Sequence, residues 1–151
     1  MEIKLYALKL GLIAFWGIWF TIISLTNVFA ALRALRIVPQ KWKFASQNFE
    51  LVTQATSRYR SPRWLAGVLF GGVVLWQSIT VVMFGSAFAS SLAAGSLDWI
   101  RVNTAFTVGI ALWAAFMIAD EIFMQYNNER SHVLLLVGQL VTLVGLHQLP
   151  G

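Results

Sequence analysis

Two adjacent carboxylates, Asp120 and Glu121, interrupt the otherwise apolar stretch AFMIADEIFMQYNNER at residues 115–130. A carboxylate inside a lipid-soluble segment is suited to binding a proton or a cation, because the surrounding hydrocarbon makes a bare charge expensive. On a helix starting near residue 102, Glu121 shares a face with Asn103, Thr107 and Ala114, and Asp120 points about 100° away. Glu121 is therefore expected to face neighbouring helices, and Asp120 headgroups or a second subunit. Depth offers an alternative. Residues 102–119 rise about 27 Å, nearly the hydrocarbon thickness of about 30 Å. The acids then sit near an interface, where they can pair with Arg130 or a loop cation. Gln77, Asn103 and Gln139 also lie inside apolar runs and complete the candidates for an intramembrane or ion-binding site.

Other chemistries find less material. His132 and His147 stand about 22 Å apart along one helix, so they cannot share a metal or haem. His132 with Glu121 and Glu129 across a short turn is the nearest approach to a metal site, and no metal is expected. There are no cysteines, which excludes disulfides and thiolate sites. No serine stands in G-x-S-x-G, and GVLFGG lacks the lysine of a phosphate loop. No catalytic residues are assigned, no enzyme activity is expected, and no cofactor is expected beyond bound lipid.

The elements that must position these residues are apolar rods. The 151 residues are 58% hydrophobic and 11% charged, more apolar surface than a soluble domain of this size can bury. One all-α membrane domain is expected, a polytopic bundle with four spans at about 10–32, 64–87, 102–124 and 131–149. The run from 64 to 97 is too long for one simple span, so FASSLAAGSLDW is read as a frayed exit and turn. The first span is longer than the apolar core of a cleavable leader.

Seven of the eleven Lys and Arg lie between spans one and two: Arg33, Arg36, Lys41, Lys43, Arg58, Arg60 and Arg63. The positive-inside rule places this loop in the cytoplasm and both termini outside. Within it an amphipathic interfacial helix is expected over about 42–59, with Trp42, Ala45, Phe49, Val52, Thr56 and Tyr59 on one face. Arg33, Arg36, Lys41, Trp42, Lys43, Tyr59, Arg63 and Trp64 are the candidate contacts to lipid and anionic headgroups. Nucleic acid is not expected.

Small and polar residues recur at helical spacing on each span: Gly17, Thr21, Ser24 and Ala31; Gly67, Gly71, Ser78 and Gly85; Asn103, Thr107, Ala114 and Glu121; Ser131, Gly138, Thr142 and Gly145. Such stripes let membrane helices approach closely. Gly67, Gly71, Ala114 and Gly138 are accordingly the expected packing positions. Phe15, Trp16, Trp19 and Phe20 fall mostly off the first stripe and are expected to face outward.

The segments NTAFTVGIALWAAFMIADEIFMQY (103–126), PRWLAGVLFGGVVLWQSIT (62–80) and NFELV (48–52) resemble a family of small, uncharacterised four-helix bacterial integral membrane proteins. Asn27 and the Trp76-Gln77 pair fit that likeness. Gln77, where an acid is common in the family, and the strongly basic first loop depart from it. The resemblance implies a bacterial inner membrane, or an internal photosynthetic one, and adds no chemistry. Three functions remain open: an accessory, assembly or structural subunit of a larger membrane complex or homo-oligomer; a small proton- or cation-coupled carrier or channel using Glu121; and a lipid-binding or lipid-sensing protein.

Overall fold

The computed structural model of the protein describes residues 2–150, apart from the side chains of Glu2, Ile3 and Asn127. Among these residues there are five helices and no strands: α1 (Glu2–Ala34), α2 (Asn48–Ser57), α3 (Arg63–Ala94), α4 (Trp99–Phe123) and α5 (Tyr126–Gln148). All but α2 are long and apolar enough to cross a membrane, consistent with a multi-pass membrane protein.

Local chemistry sets the helix ends. Pro62, extended at φ −67°, ψ 146°, precedes α3. The helix does not stop near residue 87 as expected. Residues 88–94 hold no breaker, and α3 continues to Ala94, where Gly95 closes it at φ 66°, a conformation that costs glycine little. Asp98 caps α4 by accepting from the Arg101 backbone N–H. Met124, at φ 53°, ends α4 and turns the chain into α5. The interfacial helix is shorter than the expected 42–59. It begins at Asn48 because the preceding segment is tied to α1: the Ser46 N–H donates to the Thr26 carbonyl and the Arg33 guanidinium to the Ser46 carbonyl. Trp42 and Lys43 therefore lie in irregular chain, with Trp42 against Phe29.

The helices pack in the order α1–α3–α4–α5, with α2 across one end against α3 and α1. Phe20 of α1 stacks between Phe84 of α3, 5.6 Å away, and Trp113 of α4, 5.4 Å away. Ile13, Trp16, Phe106, Leu112 and Leu146 complete this centre. α1 and α5 meet through side chains, with the Trp16 indole donating to Thr142 Oγ1 and lying against Gly138.

The stripes read from sequence on α3 and α4 are offset from the observed interior by one residue, or about 100° of helix, whereas on α1 Ser24 is common to both, and on α5 Gly138 and Thr142 meet Trp16. The buried positions are Ile13, Trp16, Phe20, Ser24 and Asn27 on α1; Ala66, Phe70, Gln77 and Phe84 on α3; Val102, Phe106, Trp113 and Asp120 on α4; and Gln139 and Leu146 on α5. Trp16 and Phe20 are thus interior, contrary to expectation, while Phe15 and Trp19 are exposed. Gly67 and Gly71 look outward, with nothing near a Cβ built on either. Ala114 is half-buried, and Gly17 and Gly138 do meet neighbours, Phe84 and Trp16. Where lipid surrounds such helices its tails are as apolar as leucine, so hydrophobicity alone does not mark the interior.

Candidate functional site

At the α2 end the four long helices and α2 surround a cavity of about 530 Å³. Its walls are mainly apolar, with Trp19, Phe70, Trp76, Trp113, Phe116 and Phe123 among them, and α2 contributes Leu51, Val52, Ala55 and Thr56 as a roof. The roof is tied down on both sides. On the α1 side Arg33 pairs with Glu50 at 2.8 Å. On the α4 side the Tyr59 hydroxyl, just beyond α2, donates to the Ile122 carbonyl, and its ring meets Phe123 edge-on.

Two polar clusters stand in the lining, which also includes Thr56, Gln125, Asn128 and Ser131. On the α1–α3 wall, Asn27 Nδ2 donates to Gln77 Oε1 at 2.8 Å, and Asn27 Oδ1 accepts from Ser46 Oγ at 2.6 Å and Asn48 Nδ2 at 2.8 Å. On the α4–α5 wall, Asp120 Oδ2 lies 2.5 Å from His132 Nδ1. Asp120 is 6% exposed, and the His132 ring stacks on Phe116, 4.9 Å away, and Trp113, 6.3 Å away. The carboxylate holds Nδ1 as the protonated nitrogen and leaves Nε2 for another partner. No serine or threonine hydroxyl bonds to the imidazole among the described residues.

This reverses the expectation for the acids. Asp120 is buried in the bundle and Glu121 is exposed, a direct result of the 100° offset. Neither makes an ion pair with Arg130 or a loop cation among the described residues; the imidazole takes that place. Glu121, Glu129 and His132 are not brought together, and no three metal-ligating side chains converge among the described residues. Equal distance from the α4–α5 turn was the signal that pairs Asp120 with His132. Residues equally far from the bend of a helical hairpin face each other, and 120 and 132 lie six residues either side of 126.

The remaining candidates disperse. Gln139 is fully buried mid-helix, with neither amide atom hydrogen-bonded, and its carboxamide lies against the backbone of Gly109. Asn103 is at the opposite end, accepting from His147 Nε2 at 2.9 Å. Of the loop positions, Arg33, Arg36 and Arg63 share a second, polar groove of about 840 Å³ with Gln40, Thr53 and Ser57. Lys41, Trp42, Lys43, Tyr59 and Trp64 do not line that groove, and all five are exposed.

Compared with known proteins, the chain matches no family model, no curated protein and no solved structure, so the family resemblance rests on the quoted segments alone.

Proposed function

We propose that the protein is an integral membrane binding protein that holds a small amphiphile in the cavity beneath α2. The observation that carries this is the cavity itself: an apolar, aromatic-lined space of about 530 Å³ with a few convergent polar groups, the size and make-up of a small-molecule site. Its position at the end of the bundle that carries the basic loop supports an arrangement with its polar groups near a headgroup layer and its apolar wall in the hydrocarbon. The positive-inside rule orients that end toward the cytoplasm of a bacterial membrane. The groove of Arg33, Arg36 and Arg63 supports contact with anionic headgroups beside the cavity. The lipid-binding reading thus moves from the loop surface to the bundle interior. A proton or cation carrier would now rest on Asp120 and His132 in place of Glu121. A diazirine-bearing fatty alcohol should crosslink to peptides covering 113–120 and 131–135, and Ala119→Trp, which fills the cavity, should abolish the labelling. Labelling that Ala119→Trp leaves unchanged would overturn the proposal.

A second reading, a subunit of a larger assembly or homo-oligomer, draws on the outward face of α3. Gly67 and Gly71 stand one helical turn apart, exposed and open, a spacing that suits a close helix crossing in lipid. If that surface is used, crosslinking from a cysteine placed at Val68 should trap a second chain, and Gly67→Leu should remove the product.

A further inference from the structure

We infer that the cavity selects an uncharged amphiphile whose head group carries both a hydrogen-bond acceptor, received by Gln77, and a donor, received by the Asp120–His132 pair. This rests on the cavity being a ligand site as proposed above, and adds the chemistry of its occupant.

The argument starts from hydrogen-bonding capacity left unused. Gln77 is 2% exposed, and its oxygen is taken by Asn27, while its amide nitrogen makes no hydrogen bond among the described residues. That nitrogen is not sealed inside protein, as the amide of Gln139 and the indole nitrogen of Trp113 are. Since Gln77 lines the cavity, its N–H groups are available to an acceptor there. On the facing wall the same holds for Asp120 Oδ1 and His132 Nε2: neither has a partner among the described residues, and neither is sealed. With the imidazole neutral and Nδ1 donating to Asp120, both free atoms are acceptors. They call for a hydroxyl or an N–H. Buried polar groups are costly when unmatched, so a ligand that satisfies both walls gains over one that satisfies neither.

Charge narrows the class further. No Lys or Arg lines the cavity, and its ionisable groups are Asp120 and His132. With the imidazole neutral, an anionic head would meet a carboxylate and no lysine or arginine among the described lining residues. A permanent cation would have to displace the imidazole from Asp120. Both are disfavoured in a low-dielectric site. The arginines lie in the separate groove outside, so anionic lipids are drawn there while the cavity is left to neutral ones. A carbonyl and a hydroxyl on one short head, above an alkyl or aromatic tail, fit all of these conditions.

Three probes with the same twelve-carbon chain test the inference on the full-length protein in mild detergent, with bound adducts counted by native mass spectrometry. They are 1-monolauroylglycerol (acceptor and donor), methyl laurate (acceptor only) and laurate (anion). Monolauroylglycerol should bind about tenfold more tightly than either of the others, the scale of one or two net hydrogen bonds. Gln77→Leu and Asp120→Asn should each shrink that preference several-fold, and Glu121→Gln should leave it unchanged. If all three probes bind equally, the head-group inference is overturned and the amphiphile cavity stands. If none binds, the cavity reading falls as well. The comparison within the wild type decides the matter even where a variant does not fold.

Discussion

The two ends of the bundle use the same kinds of residue to different effect. At the end away from α2, the polar side chains of Tyr6, Lys9 and His147 each close a contact between helices. Tyr6 donates to the Ser91 carbonyl at 2.7 Å, Lys9 Nζ to the Leu149 carbonyl at 2.9 Å, and His147 to Asn103 while stacking on Trp99 at 4.2 Å. Lys9 is only 4% exposed, because its ammonium both caps the C-terminus of α5 and lies over the Trp99 ring, where helix dipole and aromatic face both favour a cation. At the α2 end Asn27, Gln77, Asp120 and His132 also pair, yet they leave donors and acceptors facing a cavity. A histidine stands at both ends of α5. One fastens helices together, and the other is held in place with a nitrogen to spare. A polar side chain in a membrane bundle is therefore informative through what its pairing leaves over, not through its presence.

This contrast can be tested by substitution, the largest effect first. Between the two ends, a Cβ on Gly109 would come within 2.8 Å of both amide atoms of Gln139. Gly109→Val should cost about 2 kcal/mol by overpacking, read from unfolding in mixed SDS micelles, and adding Gln139→Ala should recover most of it. A lone Gly109→Val as stable as wild type would mean the seam is not close-packed. Asp120→Ala should cost about 1.5 kcal/mol, near the upper end for a hydrogen bond within a membrane bundle, while Asn103→Ala, whose partner His147 is exposed, should cost about 0.5 kcal/mol. Equal losses would erase the distinction between the ends.

The smallest effect is expected at Asp98, in the turn between α3 and α4. The Arg101 backbone N–H holds its carboxyl below the usual 3.8, assisted by the Ser90 hydroxyl and the Arg101 charge against an opposing desolvation. A lowered folded pKa stabilises the fold above the unfolded value and ceases to do so as pH falls through the folded one. Asp98→Ala should therefore be slightly less stable than wild type at pH 7, with the gap closing under acid. A gap that widens in acid would assign Asp98 another role.

The four long apolar helices were legible because charge-free runs of membrane length have few alternatives, and α2 because Phe49, Val52 and Thr56 recur at helical spacing. What the sequence concealed was rotation about each helix axis. In water, burial marks the inner face by hydrophobicity; in a helix apolar all round, as one suited to lipid is, Phe15 and Phe20 look alike in sequence and only packing separates them. The offset of one residue then exchanged Asp120 with Glu121 and hid the pair with His132. The start of α2 was hidden for a different reason. The tie from Ser46 to Asn27 joins residues distant in sequence and leaves no local pattern.

The helices also differ in length. α1 and α3, of 33 and 32 residues, reach about 50 Å, and α4 and α5, of 25 and 23, only about 35–37 Å at 1.5 Å per residue. Set in a bilayer with a core of about 30 Å, one flank of the molecule stretches or tilts against its lipid collar far more than the other. Each ångström of mismatch costs a fraction of a kcal/mol. Such a bundle would favour thick membranes over thin ones and would carry its own patch of disturbed acyl chains wherever it settles.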